Sequence, residues 1–351
     1  MVPNQGKIEG LRLSNFTCFA DLEVSFSEGI NVIIGENGLG KTHLLKVVFS
    51  NPKFKAYGYK SFDHELLTPL IGEPKMVQQM DDSGILTISK DFKQLFGDLN
   101  INELKKDKKI QFTVEQSPSY SLAAEPVFIP VNEMLSWYNG FIPAYENRET
   151  SIDYVYYLLA KKLAPLPLKG EKLKEQKLLI QELESELGFE VVRQGDDFFI
   201  AFAQGQVHNT KLVANGINKL AQVIYLIMNG SLTKNSILFW DEPEAGLNPK
   251  YVVLVVKFLQ TLAKAGCQIF VSTHDYLLSY SMSLAAEYRD LNPDTPPIRF
   301  FSLYKSSTGT QIESADTLPE IQHNSILDQY SEFYQAEEDM FYQSMKVKDE
   351  I

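Results

Sequence analysis

The chain is 351 residues long, 44% hydrophobic, 12% aromatic and 22% charged, with a formal net charge of −12. A pI near 5.0 argues against a whole surface that grips a polyanion. Two cysteines, Cys18 and Cys267, support neither a disulfide framework nor a cysteine metal site, and the longest apolar runs, AQVIYLIM and YVVLVV, are too short to cross a bilayer.

The start MVPNQGKIEG is polar and lacks a secretory layout, so the cytoplasm is the expected compartment. The length allows one substantial core plus a smaller lobe. From Lys7 to Gly35 apolar and polar residues alternate, broken by turn signals at Ser14-Asn15 and Ser27-Glu28-Gly29, which predicts two or three strands. The last of them, Ile30 to Ile34, is almost unbroken apolar sequence, as in a strand covered on both faces. A helix is predicted from Lys41 to about Phe49. Residues 51–121 are irregular, with a strand at Ile110 to Val114, and EPVFIP supplies another at Val127 to Ile129. From Met134 to about Gln194 the pattern reads mainly helical, interrupted by APLPLKG. In EKLKEQKLLIQELESELG, Leu173, Leu178, Leu179, Ile180, Leu183 and Leu187 recur at helical spacing, with Gly188 as the expected C-cap. The stretch covers barely two heptads, so a packed lobe is expected in place of a coiled coil.

Strand-like sequence returns at Asp197 to Ala203, then an apolar helix from Lys219 to about Met228. SILFWDEPE reads as a buried strand ending in acids. PKYVVLVVKFLQTLAKAG reads as a helix opened by Pro249 and closed by Gly266. CQIFVSTHD is a further buried strand, and RFFSLYKSSTGTQIES a hairpin turning at Ser306 to Gly309. The tail from Leu318 is acidic and aromatic, and a helix could gather Phe333, Tyr334, Phe341 and Tyr342 on one side. It is either a docking element or a helix packed on the chain's own core. The expected division is 1–135 and 213–305 as the two parts of one nucleotide-binding lobe, 136–212 as a mainly helical insert, and 306–351 as the hairpin end and tail.

Gly35-Glu36-Asn37-Gly38-Leu39-Gly40-Lys41-Thr42 matches G-x-x-x-x-G-K-[ST] with a strand before it and a helix after. The glycines let successive N–H groups turn inward around phosphates, and the helix N-terminus adds about half a positive charge. Lys41 is expected to reach the β- and γ-phosphates and the Thr42 hydroxyl to ligate Mg²⁺, making ATP and Mg²⁺ the expected cofactors. The strand Ile237 to Trp240 delivers Asp241 and Glu242 to the rim where ligands bind in parallel sheets. Asp241 is assigned to the magnesium shell, and Glu242 to orienting or deprotonating the attacking water. Ser272-Thr273-His274-Asp275 ends another apolar strand at the same rim, making His274 the expected γ-phosphate sensor. His43, His64, His208 and His323 have no such context. The lysine-rich stretches at 105–109 and 161–177 are read as solvated faces.

P-loop, Asp-Glu at a strand end, EAGLNP, then STHD together resemble the ABC-type ATPase head of the SMC, RecF and OLD (overcoming lysogenisation defect) class. LRLSNF followed by GINVIIGENGLGKT is similar to its RecF and OLD branch in particular. The resemblance covers about the first 50 residues and Lys211 to Tyr280. It implies an α/β P-loop NTPase with a mixed central sheet, an antiparallel β subdomain and an inserted helical lobe. It also implies a homodimer, or higher homo-oligomer, with ATP sandwiched between heads and Glu244 to Asn248 as a D-loop at the seam. The family's signature segment has one counterpart, Val213 to Lys219. There Ala214 stands where serine is expected, while Asn215, Gly216 and Lys219 would supply an amide, an N–H and a charge to the partner's nucleotide. Slow or partner-dependent hydrolysis is the consequence expected. The family's coupling glutamine is not identifiable in the sequence, with Glu133 and Gln78 or Gln79 as candidates.

Three functions are compatible with these motifs. The first is an ATPase switch controlling a separate effector protein, a nuclease or toxin, in bacterial anti-phage defence. The second is a RecF-like repair ATPase holding DNA, and the third a transporter subunit. The first is preferred because Tyr276 to Ile351 is too short for the topoisomerase-primase domain of an OLD nuclease, and no other catalytic motif is present. No membrane partner is expected.

Overall fold

The structure, a computed structural model, describes residues 7–56, 77–80, 85–89, 109–113, 126–148, 151–307 and 309–349. His64 and Lys105 to Lys108 lie outside them. Among the described residues one sheet of eleven strands organises the fold. In chain order its strands are β1 (Gly10–Phe16), β2 (Phe19–Ser25), β3 (Ile30–Gly35), β4 (Val77–Met80), β5 (Ile85–Ser89), β6 (Lys109–Thr113) and β7 (Val127–Ile129). After a three-stranded sheet formed by β8 (Phe189–Gln194), β9 (Asp197–Phe202) and β10 (Val207–Asn209), the main sheet adds β11 (Ile237–Asp241), β12 (Gln268–Ser272), β13 (Ile298–Ser306) and β14 (Gly309–Ala315). The spatial order is β4-β5-β6-β1-β2-β14-β13-β3-β12-β11-β7. Pairing is antiparallel through β4-β5-β6-β1-β2 and between β13 and β14. It is parallel through β13-β3-β12-β11-β7. The fold is therefore α/β with a mixed central sheet.

The parallel half is buried on both faces, and its side chains divide with the period of two that a strand imposes. Ile30, Val32, Ile34, Leu238, Trp240, Ile269 and Val271 enter one core. There they meet α6 (Asn215–Met228), α7 (Pro249–Lys264) and α8 (Tyr276–Glu287). Ile33, Ile237, Phe239 and Phe270 enter the other core with Leu44, Val47, Val48 and Phe49 of α1 (Lys41–Ala56). Across that second face Phe239 stacks on Phe270 at 4.8 Å and lies parallel to Phe128 at 6.3 Å, while Phe49 meets Phe239 edge-on at 5.4 Å. This aromatic row seats α1, and with it the start of the helix that follows the glycine-rich turn.

The stretch from 136 to 212 differs from the sequence expectation. It contains α2 (Phe141–Glu146), α3 (Tyr154–Leu163), α4 (Gly170–Lys177) and α5 (Gln181–Leu187), but the helical pattern stops at Gly188, not Gln194. Gly188 takes a left-handed φ of 64° as the α5 C-cap, and β8 then alternates buried Phe189 and Val191 with exposed Glu190. The stretch predicted as one helix is two. Leu179 and Ile180 donate to Gln176 and Lys177 at 3.0 and 3.2 Å, a tightened turn that sends Ile180 into the core and leaves Leu178 outside. Helix α1 runs past Phe49 to Ala56, and the strand expected at Ile110 to Val114 is β6. The tail forms α9 (Ser325–Asp349), which leaves the core after its first turn.

Replacing Phe239 by alanine removes the middle ring of the aromatic row. Urea unfolding should report a loss of about 3–5 kcal/mol, against less than about 1.5 kcal/mol for Phe239→Leu.

Candidate functional site

Strand β3 ends at Gly35, α1 begins at Lys41, and the turn between them lies at the carboxyl end of the parallel sheet. Gly40 has φ of 95°, and a Cβ there would come within 2.6 Å of Cys18 Sγ and 3.0 Å of Phe19, so only glycine fits this floor of the turn. Glu36, Asn37 and Gly38 are exposed, and Leu39 packs on the second core. Lys41 Nζ donates to the carbonyls of Gly35 at 2.7 Å and Glu36 at 3.0 Å. One and a half turns further along α1, buried Lys46 pairs with Asp153, whose carboxylate also accepts from Val155 N at the start of α3. The helix that follows the turn is thereby anchored to the start of α3.

Two neighbouring strand ends complete the rim. Thr42 Oγ1 donates to Asp241 Oδ2 at 2.8 Å, and Ser272 Oγ donates to Asp241 Oδ1. Asp241 is buried; burial pushes its carboxyl above the usual range, and these two hydroxyls oppose that rise. His274 Nδ1 lies 3.3 Å from Glu242 Oε1. Glu242 occupies the left-handed region at φ 47°, an uncommon backbone for a residue with a side chain. Its N–H is held by the Ser272 carbonyl at 3.1 Å and its C=O by Lys219 Nζ at 2.9 Å. The structure thus brings Lys41, Thr42, Asp241, Glu242 and His274, from three distant parts of the chain, to one place. A hydroxyl beside a carboxylate is a pair of hard oxygen donors of the kind that suits Mg²⁺, which keeps several waters and needs few protein ligands.

Three expectations need correction. Lys219 does not face a partner's nucleotide: it is fully buried beneath Glu242, and burial lowers its ammonium to about 8 against the pull of Glu244, Glu242 and Asp241. Glu244 turns inward and accepts from Thr273 Oγ1 at 2.7 Å, while Gly246 and Asn248 stay exposed. Glu133 is engaged with Ser136, and Gln78 and Gln79 sit on β4 at the outer edge of the sheet. Asn215 and Gly216 open α6, whose N-cap Ala214 makes no side-chain cap bond. Gly216 is buried; a Cβ there would meet the Gly246 carbonyl at 2.5 Å.

Sequence reasoning singled out His274 in STHD and missed that Ser272 and Thr273 beside it hold Asp241 and Glu244. The adjacency of two hydroxyl residues at a strand end was the available signal. The signal for Lys219 was a lysine at the head of an otherwise apolar helix. Among the lysines of the 161–177 stretch, Lys161 faces Glu146 at 3.6 Å and Lys174 bonds Glu171 at 2.8 Å, in keeping with solvated faces.

A family model described as "AAA domain, putative AbiEii toxin, Type IV TA system" matches residues 87–279, more than half of the chain, and a second AAA-domain model matches residues 10–49. The chain belongs to this AAA-domain family. It is an ATPase of the AAA class, and its matching segments are similar to those of RecF and Rad50. The DNA replication and repair protein RecF of Bacillus cytotoxicus is 33% identical over 115 residues, 31% of this chain and 30% of the relative. The DNA double-strand break repair Rad50 ATPase of Pyrococcus abyssi is 27% identical over 156 residues, 42% of this chain and 16% of the relative. The matched segments thus span less than a third of these relatives. An SMC head domain from Thermotoga maritima aligns over 88% of this chain and 99% of its own, with a TM-score of 0.44 and 12% identity. Among the described residues no helix of this ATPase is long and apolar enough to cross a membrane.

The buried ammonium offers a pH test. Unfolding returns Lys219 from about 8 to its ordinary 10.5, so across that window the unfolded chain binds more protons and stability rises with pH. Relative to Lys219→Met, the urea midpoint of the parent should climb between pH 8 and 10.5. A constant difference would show that the group is not desolvated.

Proposed function

We propose that this ATPase binds Mg–ATP in the Gly35 to Thr42 cradle, hydrolyses it when two copies close on each other, and uses that closure to control a separate effector protein in bacterial anti-phage defence. The supporting observation is the meeting of Thr42, Asp241, Glu242 and His274 beside the N-terminus of α1. Backbone N–H groups from Gly35 through Gly40 and the Lys41 ammonium would hold the triphosphate. Thr42 and Asp241 would hold magnesium, which when bound draws charge off the phosphate oxygens. Glu242, its backbone fixed by Ser272 and Lys219, would take the proton of the attacking water, and His274 at 3.3 Å would orient that carboxylate and meet the γ-phosphate.

The uncapped start of α6 supports a role in trans. Ala214 leaves the first N–H groups of a 14-residue helix without a side-chain acceptor, and Asn215 is exposed beside them. In a paired state Asn215 and Gly216 would cap the nucleotide of the other copy. The division into a lobe of residues 1–135 and 213–305, an insert of 136–212 and a tail of 306–351 belongs to the same reading. The toxin and toxin–antitoxin wording of the family description supports an effector-linked role.

A second reading is a RecF-like ATPase acting on DNA, favoured by the 33% identity to RecF. It requires an affinity for duplex DNA that falls with salt, about −0.9 in log–log slope for each phosphate neutralised.

Glu242→Gln should retain ATP binding and lower phosphate release by about 10²- to 10⁴-fold, accumulating as a pair in sedimentation with Mg–ATP. Parental turnover in this variant would remove Glu242 from the role of base. Asn215→Ala should leave the affinity of the single chain for ATP unchanged and slow turnover about tenfold, the rate equivalent of one lost hydrogen bond.

A further inference from the structure

Glu242 holds a backbone conformation that its surroundings must enforce. A φ of 47° is sparsely populated by residues with a side chain and persists only where neighbouring bonds over-determine it. Its N–H donates to the Ser272 carbonyl at 3.1 Å. Its C=O accepts from Ala245 N at 3.1 Å and from Lys219 Nζ at 2.9 Å. The first two bonds join backbone to backbone. The third is made by a side chain, from a different element.

That side chain is an unusual choice for its position. Lys219 is fully buried, and its neighbours Leu220, Ala221, Val223 and Ile224 are buried and apolar, so an ammonium there is costly unless something holds it. Neutralising the buried acid Glu244 would be one reason to keep a lysine. The contacts point elsewhere: Glu244 Oε2 has no hydrogen-bond partner among the described residues, whereas the ammonium bonds the Glu242 carbonyl.

The lysine is also presented from a fixed place. Gly216 and Lys219 are three positions apart and share one face of α6. Gly216 lies against the Gly246 carbonyl while Lys219 reaches Glu242, so this face spans both ends of the turn 242–246. On another side, Asn218 Nδ2 donates to the Thr210 carbonyl at 2.8 Å and Gln222 Oε1 accepts from Met134 N at 2.7 Å. A helix pinned in this way delivers its ammonium to one point, the condition for orienting a reacting group.

We propose that Lys219 is a positioning residue for ATP hydrolysis: its bond to the Glu242 carbonyl keeps that residue in the left-handed conformation that aims its carboxylate at the attacking water. This rests on the reading of Glu242 as the base. Without the bond the Glu242 backbone relaxes toward a commoner conformation and the carboxylate leaves His274, while Lys41, Thr42 and the glycine-rich turn are untouched. The loss therefore falls on turnover and not on ATP uptake.

The test measures turnover of the full chain at saturating Mg–ATP, and ATP affinity by calorimetry, in the parent, Lys219→Met, Glu242→Gln and the double variant. Methionine keeps most of the stem and removes the donor. Lys219→Met should lower kcat about 10- to 10²-fold, the rate equivalent of one charge-assisted hydrogen bond, with ATP affinity unchanged. Because the lysine acts through Glu242, it should slow Glu242→Gln no further in single turnovers. Lys219→Gln, whose donor falls one atom short of the lysine's, gives the same comparison if the methionine variant does not fold. Parental kcat in the Lys219 variant, a loss carried by ATP affinity, or losses that multiply in the double variant would each overturn the proposal. Slow Glu242→Gln with parental Lys219→Met removes the proposal alone, whereas parental turnover in Glu242→Gln removes the base reading and the proposal with it.

Discussion

A single carboxylate holds the site together. Asp241 is buried at the end of β11, where an ionised group is costly, and hydroxyls from both sides compensate it: Thr42 from the helix after the glycine-rich turn and Ser272 from the end of β12. Those bonds tie three parallel strand ends to one point. Because β3, β12 and β11 are neighbours in one sheet, whatever shifts one of them is felt at the other two.

The same local architecture joins the nucleotide rim to α6. Lys219 donates to the carbonyl of strained Glu242, and Gly216 allows the start of α6 to lie against the Gly246 carbonyl. Glu244, in the turn between them, is held by Thr273 next to His274. The segment proposed to meet a second copy is thus mechanically continuous with the residues proposed to act on this copy's nucleotide.

Much of this was legible because it is local. The glycine-rich turn, the apolar strands ending in Asp241 and His274, and the Pro249 helix start each carry their signal within a few residues, and the structure has a strand or helix at each. What escaped depends on distant partners. The contact of Lys219 with Glu242 and of Thr273 with Glu244 spans more than twenty positions, and no periodicity announces it. Helix breaks escaped for a related reason: Leu178 and Ile180 look alike in sequence, and only the space available beside the core decides which one turns in. The tail shows the limit most plainly, since an aromatic stripe on a helix has one pattern whether its own core or another molecule covers it.

In the proposed site Thr42 and Asp241 hold one magnesium on the triphosphate cradled by Lys41. Calorimetric titration with ATP, with and without Mg²⁺, on the parent and on Thr42→Ala tests it directly. The expected result is one ATP per chain, bound more tightly with Mg²⁺ in the parent, with that Mg²⁺ dependence largely lost in the variant. No uptake of ATP by the parent, or the same Mg²⁺ dependence in both proteins, would contradict it.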